Sequence, residues 1–465
     1  MREWKEKIFI VIVSLILLIP FVGMAFWPTN ETTENTVMAA WPKVTEEGKW
    51  NRDYLAQAGE YFEDHFAFRQ QFVTANALLR GGIFKTSATD QVVVGKEDWL
   101  YFSGTLDDYQ GRNLLSEREL YAVVHNLKLM QDYVESCGSR FILTVAPNKN
   151  SLYNSNMPEH YKKGTDSNLK RLTERMAREG IHYVDLYQAF DSQEEVLYFK
   201  RDSHWNNKGA VLAYRALMDE MQKEHESYLN VPYETVREHI GDIDAMLYPL
   251  ASREEEDYQY SKEWKYSYIN EVKDNMDDWI ETANPAKEGM LLMYRDSFGE
   301  SLLPFLAEEM GEGYFSRLVP YNLTQVEEYI PDYVIVERVE RKIAAFATEV
   351  PIMEPLPAEN IFAPEMRTDT TVKAEKSGSY LMVKGQVDEQ YLEDETDIYV
   401  QVRDSLTSQV KTYPVFYTLT KEGDGNGYQV YLKGSSVPEG ELHISVIAAG
   451  EGQNMVIASE DITWN

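Results

Sequence analysis

The sequence contains one cysteine, Cys137, among 465 residues. A single thiol forms no internal disulfide, and it has no cysteine partner for a zinc or iron–sulfur site. Positive charge is also scarce, because 45 Lys and Arg stand against 77 Asp and Glu, which gives a formal net charge of -32. Such a surface repels nucleic acid phosphates and argues against nucleic-acid binding. Hydrophobic residues make up 43% of the chain, which is too much for a disordered protein.

The chain has one long hydrophobic run, Ile8 to Trp27, which carries no charge. As a helix it would cover the roughly 30 Å hydrocarbon core of a bilayer. Arg2, Lys5 and Lys7 lie on its short N-terminal side, so the positive-inside rule places the rest of the chain outside the cytoplasm. A cleaved signal peptide is the alternative, but no small-x-small site directly follows the run. We therefore expect residues 1–28 to be the cytoplasmic tip and transmembrane anchor of a single-pass cell-membrane protein.

The composition and hydrophobic pattern of the remaining sequence divide it into four regions. The polar segment at 29–50 indicates a stalk. Residues 51–350 alternate strand-like and helix-like runs, the pattern of an α/β fold with a mostly parallel sheet. Prolines crowd the segment 351–365, which we interpret as a linker. Short strand-like runs recur in 366–465 and predict a small all-β sandwich.

Within the α/β region, apolar runs predict buried strands, and two segments predict helices. The strand-like runs are 140–146, 181–186, 289–294 and 333–336. A capping box at Ser116–Glu119 precedes one helix, and another is predicted to follow Asn206. The acidic, aromatic segment 252–287 has no clear periodicity, and we interpret it as an insertion or lid.

The segment Asp202-Ser203-His204-Trp205 is the first candidate for chemistry. Side chains two apart project to the same side of extended backbone, so the Asp202 carboxylate can orient the His204 imidazole. A short Asp-x-His pattern also occurs by chance at solvated surfaces, and the pair can instead ligate a metal. No third ligand is evident nearby, so we expect neither a metal site nor a cofactor. The other seven histidines, such as His65, His125 and His443, have no comparable neighbour, and we expect them to be structural or exposed.

The second candidate is Ser297, which follows an apolar run ending at Tyr294 and precedes another beginning at Ser301. Open α/β sheets place active sites at such strand-to-helix turns, where backbone N–H groups also point toward a developing oxyanion. A helix N-cap is an equally frequent role for a serine there. Together, however, Ser297, His204 and Asp202 supply a nucleophile, a base and an orienting carboxylate.

Five blocks in this order resemble the bacterial DHHW family, which is grouped with the AlgX and AlgJ proteins of alginate O-acetylation. They are YFEDHFAFR at 61–69, VGKEDWLY at 94–101, APNK at 146–149, DSHW at 202–205 and RDSFG at 295–299. The resemblance covers most of residues 51–345 and implies an SGNH-hydrolase-like fold. One position departs from the family pattern, because Ser203 stands where the family name has histidine.

The resemblance implies that Ser297 is the nucleophile, His204 the general base and Asp202 its orienting carboxylate. Other residues of the same blocks are candidates for binding the substrate or the oxyanion: Asn148, Lys149, Trp205 and Arg295. AlgX also carries a C-terminal carbohydrate-binding sandwich, so exposed tyrosines of the all-β region are considered for sugar stacking, with core packing as the alternative. These tyrosines are Tyr399, Tyr417, Tyr428 and Tyr431.

The implied activity is O-acetylation of a cell-surface or secreted polysaccharide by an extracellular catalytic domain, through a serine acyl-enzyme. The resemblance also implies a membrane-bound O-acyltransferase as the acetyl supplier. An acetyl esterase with the same triad is one alternative, and a non-catalytic glycan-binding scaffold of polymer export is another. The net charge of -32 favours a neutral or amino-sugar acceptor over a polyuronate, unless local basic residues reverse the balance. The basic residues in or beside the motifs are Lys149, Arg201, Lys208 and Arg295.

Overall fold

The computed structural model describes residues 2–29, 38–46, 49–81, 86–366, 368–419, 425–450 and 453–464. Its N-terminal helix, α1 (Arg2–Gly23), continues through Pro20, and most of its apolar side chains are exposed. Within the described residues it is the one helix long and apolar enough to cross a membrane. The helix ends at Gly23, so the last residues of the apolar run, up to Trp27, form a turn instead.

Short elements separate this helix from the main sheet. They are β1 (Thr45–Glu46), β2 (Lys49–Trp50), α2 (Tyr54–His65), α3 (Arg69–Leu79), β3 (Val92–Val94), β4 (Leu100–Phe102) and α4 (Leu106–Gln110). Part of the predicted stalk, 30–37 and 47–48, lies outside the described residues. Trp41, in its described part, packs edge-on against Tyr61 of α2, with ring centroids 5.1 Å apart. This part of the segment is therefore held against folded protein.

The α/β region follows. Its helices are α5 (Glu117–Ser136), α6 (Lys149–Leu152), α7 (Asn168–Glu179), α8 (Leu186–Asp191), α9 (Asn207–Met221), α10 (Asp242–Leu247), α11 (Gly299–Glu309), α12 (Gln325–Tyr329) and α13 (Ala345–Thr348). Its strands are β5 (Arg140–Ala146), β6 (Tyr183–Val184), β7 (Tyr233–Ile240), β8 (Glu254–Tyr260), β9 (Ser267–Tyr268), β10 (Trp279–Ala283), β11 (Met290–Tyr294), β12 (Glu312–Ser316) and β13 (Tyr333–Val339).

The main sheet has the strand order β6-β5-β13-β11-β12-β10-β9. Neighbours pair in parallel from β6 through β12, and the pairs of β10 with β12 and with β9 are antiparallel. The central strands β5, β11 and β13 are almost continuously buried, as parallel strands covered by helices on both faces must be. The predicted α/β fold with a mostly parallel sheet is confirmed.

The segment 252–287, predicted as a single insertion or lid, lies partly in a two-stranded arm and partly in the main sheet. Its strand β8 pairs antiparallel with β7 and, with it, forms a two-stranded arm outside the main sheet. Its strand β10 belongs to the main sheet, and Ile280 is fully buried. The insertion hypothesis is therefore wrong for Trp279–Ala283. Residues alternate between buried and partly exposed along this strand, and the pattern is too short to be recognised in the sequence.

Side-chain caps fix the start of two helices of the α/β region. At α5 the Glu119 N–H donates to Ser116 Oγ at 3.2 Å, and the Ser116 N–H donates to the Glu119 carboxylate at 2.6 Å. This is the predicted capping box, which satisfies two N–H groups that the helix itself leaves unpaired. At α9 the Gly209 N–H donates to Asn206 Oδ1 at 3.1 Å. The helix predicted after Asn206 thus begins directly after the segment 202–205.

The C-terminal region consists of strands. They are β14 (Lys373–Ser377), β15 (Tyr380–Gln386), β16 (Asp397–Asp404), β17 (Val410–Pro414), β18 (Phe416–Thr418), β19 (Gly427–Lys433), β20 (Gly440–Gly450) and β21 (Gln453–Trp464). They form two antiparallel four-stranded sheets, β14-β15-β19-β18 and β17-β16-β20-β21. Side chains of both sheets share one buried cluster, as in a sandwich.

Two of the tyrosines considered for sugar stacking lie in this core. Tyr417 and Tyr428 are 0% and 1% exposed, so the stacking hypothesis is wrong for them. Tyr431 packs edge-on against Tyr380, with ring centroids 5.9 Å apart, and Tyr399 is partly exposed.

The sandwich packs on the α/β region through α5. Asn126 Nδ2 donates to the carbonyls of Phe346 and Tyr417 at 2.9 Å each, and Asn126 Oδ1 accepts the Tyr417 N–H at 2.9 Å. The proline-rich segment 351–365 begins against the same core, where Met353 is fully buried. The two regions therefore share one hydrophobic core.

Asn126→Ala is expected to lower the stability of the chain by about 2–3 kcal/mol, because a buried N–H and two carbonyls lose their partner. Since the core is shared, both regions should unfold in a single transition. Circular dichroism of the full chain in detergent during heating measures this, with Asn454→Ala at an exposed site of β21 as the control. A wild-type midpoint, or a separate early transition, would contradict the expectation.

Candidate active site

Three sequence segments meet at one edge of the main sheet. Asn148 follows β5, Ser297 follows β11 and Glu340 follows β13, and these strands are neighbours paired in parallel. The carboxyl ends of parallel strands lie at the same edge, which is where open α/β sheets bind ligands.

Ser297 occupies the turn between β11 and α11, where it is partly exposed. The N-cap position of α11 is Phe298, and no side chain caps the helix there. The N-cap hypothesis for Ser297 is therefore wrong. Among the described residues, no group accepts a hydrogen bond from the Ser297 backbone N–H. A free N–H at a helix N-terminus beside a hydroxyl is suited to binding an oxyanion.

The neighbours of Ser297 hold this turn in place. The Asp296 carboxylate accepts the N–H groups of Phe298 at 2.9 Å and of Val339 on β13 at 2.8 Å. Gly299 allows the Arg295 side chain to fold under the turn, since a Cβ on Gly299 would lie 2.7 Å from Arg295 Cβ. The turn therefore has one well-defined shape.

The three residues predicted to form a triad are in hydrogen-bonding contact, although Ser297 and His204 are 93 positions apart. Ser297 Oγ lies 2.8 Å from His204 Nε2, and His204 Nδ1 lies 2.7 Å from Asp202 Oδ1. Because a carboxylate only accepts, Nδ1 carries the proton, and Nε2 accepts the Ser297 hydroxyl. This is the geometry of a nucleophile, a base and an orienting carboxylate.

Asp202 has further partners that the sequence did not reveal. His239 Nε2 lies 3.0 Å from Asp202 Oδ2, and the Asp242 N–H donates to the same oxygen at 3.0 Å. The expectation that no other histidine has a comparable neighbour is therefore wrong. His239 lies on β7, and the pairing of β7 with β8 brings it to Asp202. The sequence around His239 does not predict this contact.

Burial and the shared carboxylate set the charges of the triad. Burial alone raises the pKa of Asp202, but the charges and hydrogen bonds of His204 and His239 outweigh it and hold that pKa well below its usual range. Burial lowers the pKa of His204, but the Asp202 charge and hydrogen bond outweigh this and raise it above its usual 6.5. Asp202 therefore stays ionised and supports a protonated His204.

Asp202, His204 and Asp242 could together hold a metal ion, because their ligand atoms lie within 4.8 Å of one another. Asp242 is thus the third ligand that the sequence did not show. Its Oδ2, however, accepts the Ser203 hydroxyl at 2.6 Å, and His204 Nδ1 is engaged by Asp202. A metal would displace these hydrogen bonds, so the residues fit the triad better than a metal site.

Lys149 is buried and holds the backbone of the segment that carries Asp202. Its ammonium donates to the carbonyls of Phe199 at 3.2 Å, Lys200 at 3.0 Å and Asp202 at 2.5 Å. Burial lowers its pKa to about 8. Lys149 therefore fixes the loop that carries Asp202, and the hypothesis that it binds substrate is corrected to this supporting role.

Asn148 and Arg295 are also buried and bonded to protein atoms. The Asn148 N–H donates to the Glu340 carboxylate at 2.7 Å, and Arg295 Nη2 donates to the Asn275 carbonyl at 2.6 Å. Burial lowers the pKa of Arg295 to about 10. Neither residue lines the cleft that exposes Ser297, and the contacts described here join both to the protein scaffold. The sequence motifs indicated that Asn148 and Arg295 lie near the site, but they did not indicate whether the side chains point into the cleft or into the protein.

The cleft that exposes Ser297 has a volume of about 920 Å³. Trp205, the fourth candidate, lies in its wall, although it is almost fully buried, and its Nε1 donates to Ser301 Oγ at 2.7 Å. The other residues that line the cleft include aromatic and charged side chains from the arm, α11 and the loops: Asp257, Tyr258, Tyr260, Trp264, Glu300, Phe305, Arg317 and Arg341. Among these, sequence analysis had singled out none as part of the site.

Comparisons with known proteins identify the domain. Residues 92–283 match the family model of an SGNH hydrolase-like domain, acetyltransferase AlgX. The match includes Asp202, His204 and His239 and ends before Ser297. The resemblance inferred from the motifs is thereby confirmed for residues 92–283, which are similar to an SGNH hydrolase-like domain. No curated protein matches the chain.

Solved structures with similar folds include three bacterial proteins. Bacillus cereus PatB1 has 15% identity and a TM-score of 0.45, covering 55% of this chain and 96% of that one. A DHHW family protein from Eubacterium siraeum has 16% identity and a TM-score of 0.43, covering 55% and 93%. Pseudomonas aeruginosa AlgX has 15% identity and a TM-score of 0.36, covering 77% and 94%.

Asp202→Asn should lower the pKa of His204, because the charge that raises it is removed. Only neutral His204 activates Ser297, so the rate of Ser297 labelling by a fluorophosphonate should rise with pH around a midpoint above 6.5 in the wild type. In the variant the midpoint should fall, and the plateau rate should drop by about 10²–10⁴. Asp461→Asn, which removes the partner of His443 in the sandwich, is the control. An unchanged midpoint would refute the assignment.

Proposed function

We propose that this chain is a membrane-anchored, extracytoplasmic O-acetyltransferase, which moves an acetyl group through a serine acyl-enzyme onto hydroxyls of a cell-surface or secreted polysaccharide. The observation that carries this proposal is the array of Ser297, His204 and Asp202 at the wall of a large cleft. The match of residues 92–283 to an acetyltransferase domain supports the choice of acyl group.

In the first half-reaction, His204 Nε2 takes the proton of Ser297 as Oγ attacks the acetyl carbonyl of the donor. The resulting oxyanion lies beside the Ser297 N–H, and Asp202 stabilises the imidazolium of His204. Collapse of the intermediate breaks the bond to the leaving group, which receives the proton from His204. The products are acetyl-Ser297 and the free leaving group.

In the second half-reaction, a sugar hydroxyl attacks acetyl-Ser297 and gives its proton to His204. Collapse of this intermediate releases the acetylated sugar, and the proton returns to Ser297 Oγ. Water at the same position would make the protein an esterase, so the outcome depends on which nucleophile the cleft holds. Tyr260 and Trp264 line the cleft, are partly exposed and are suited to stacking on sugar rings, which favours transfer to a bound sugar.

The N-terminal helix supports a location of this activity at the membrane. Helix α1 is apolar and exposed, and Lys5 and Lys7 lie near its N-terminus. As an anchor with a cytoplasmic N-terminus, it would keep the cleft close to the outer face of the membrane. A membrane-bound O-acyltransferase that delivers acetyl groups across the bilayer would supply the donor there.

The charges around the cleft favour an acceptor without carboxylates. The basic residues near the sequence motifs are not available to it, since Lys149 and Arg295 are buried and Arg201 pairs with buried Asp244. Lys208 pairs with Glu195. Arg317, Arg341 and Lys262 do line the cleft, but the carboxylates of Glu300, Asp257 and Asp242 line it as well, and Lys262 also pairs with buried Glu308. A neutral or amino-sugar polymer therefore fits better than a polyuronate.

Ser297→Ala and His204→Ala should each reduce turnover of p-nitrophenyl acetate by about 10³-fold or more. The double variant should be no slower than either single variant, because the two residues act as one unit. The assay uses the full chain in detergent, and thermal midpoints verify folding. Ser405→Ala, at an exposed position of the sandwich, is a matched control. Wild-type turnover by folded Ser297→Ala would end the nucleophile assignment.

Acceptor choice is tested with the same protein, an acetyl donor, and either neutral glucan oligosaccharides or oligouronates. Mass spectrometry should detect more acetylated neutral product, with little dependence on salt. Glu300→Gln should improve transfer to oligouronates by about ten-fold, because one repelling carboxylate is removed. Glu439→Gln, exposed on the sandwich, serves as its control. If the wild type transfers acetyl groups better to oligouronates, and this transfer falls steeply with salt, the preference for a neutral acceptor is wrong. If acetate is the only product, an esterase is favoured instead.

A further inference from the structure

The Asp202 carboxylate is held by a histidine on each oxygen. His204 Nδ1 bonds to Oδ1 at 2.7 Å, and His239 Nε2 lies 3.0 Å from Oδ2. The His239 ring stacks flat on Phe199, with 3.8 Å between ring centroids and 11° between ring planes. The direction of the His239 ring is therefore fixed by packing, and its Nε2 points at Asp202.

His239 reaches Asp202 because the arm is irregular at this point. Val236 of β7 pairs with Asp257 of β8, and after a shift in register His239 pairs with Glu255. Paired residues of an antiparallel ladder share a face, so the extra residue moves His239 onto the face of Asp257, which lines the cleft. With regular pairing, His239 would lie on the opposite face. Such bulges re-aim single side chains beside active sites.

The arm is also tied to the loop that carries Asp202. The Glu255 carboxylate accepts the N–H groups of Lys200 at 2.9 Å and Arg201 at 2.8 Å. Asp257 accepts the Asn207 N–H, at the start of α9, at 2.9 Å. His239 is thus presented to Asp202 by a strand pair that is itself anchored on both sides of the triad segment.

We propose that His239 is a positioning residue of the acetyl transfer, which holds Asp202 so that its other oxygen stays on His204. This inference rests on the proposed function. A carboxylate bonded at both oxygens resists rotation about its χ2 angle. Without His239, Oδ2 keeps only the Asp242 N–H, so Oδ1 is held less firmly toward the imidazole. His204 would then lose the partner that fixes its tautomer. Because His239 acts through Asp202, its loss should appear in kcat and leave KM little changed.

Two substitutions separate the hydrogen bond from the packing. His239→Phe keeps a ring on Phe199 but has no donor, and it should lower kcat for p-nitrophenyl acetate by about ten-fold or more. His239→Gln places an amide N–H near the position of Nε2, and it should restore most of that loss. The full chain in detergent is used throughout. His443→Phe, which removes the histidine bonded to Asp461 in the sandwich at 2.7 Å, is the matched control.

A double variant tests whether His239 acts through Asp202. Asp202→Asn combined with His239→Phe should be no slower than Asp202→Asn alone. If His239→Phe does not fold, His239→Asn replaces it, because its shorter amide cannot reach Asp202. Wild-type kcat in either folded variant, a change confined to KM, or full additivity in the double variant would overturn the proposal.

The proposal and the function on which it rests fail in different ways. Inactive Ser297→Ala together with fully active His239→Phe would refute only the role of His239. Active Ser297→Ala would refute the acyl-enzyme itself.

Discussion

The Asp202 carboxylate is the group on which the arrangement of the site depends. Four N–H donors converge on it, two from His204, one from His239 and one from Asp242. Asp202 is only 4% exposed, and an ionised group so deeply buried requires this many partners. Its bonds join the triad segment, the arm and the start of α10 into one support for the His204 imidazole. The main sheet adds the third component by presenting Ser297 at its edge.

Much of the fold could be predicted because local patterns agree with the final structure. The strand-like run at 140–146 coincides with β5, and the capping box at Ser116–Glu119 starts α5. The short strand β10 was missed because its pattern is brief and lies within a polar, aromatic segment. The shared core between sandwich and α/β region could not be foreseen, since the contacts of Asn126 join residues almost 300 positions apart.

The contact of Ser297, His204 and Asp202 was predictable from the sequence, and the residues that support this contact were not. Residues Ser297 and His204 were identified because their chemistry is recognisable in short motifs, and the fold then brought them together. Lys149 lies in a motif as well, but whether an ammonium meets substrate or backbone carbonyls depends on burial, which the motif does not encode. His239 depends on one extra residue in a strand pair, a feature of pairing between distant segments. Sequence thus indicates the chemistry, while tertiary contacts determine how it is held.

We propose that Ser297 carries the acetyl group during transfer. Trapping of the acyl-enzyme tests this most directly. The full chain is mixed with an acetyl donor and quenched in acid within the first turnover, and its peptides are then sequenced by mass spectrometry. We expect one acetyl group, on the peptide that contains Ser297, and we expect it to disappear when an acceptor oligosaccharide is added before the quench. An acetyl group trapped on another residue, or turnover with Ser297 unmodified at every time point, would contradict it.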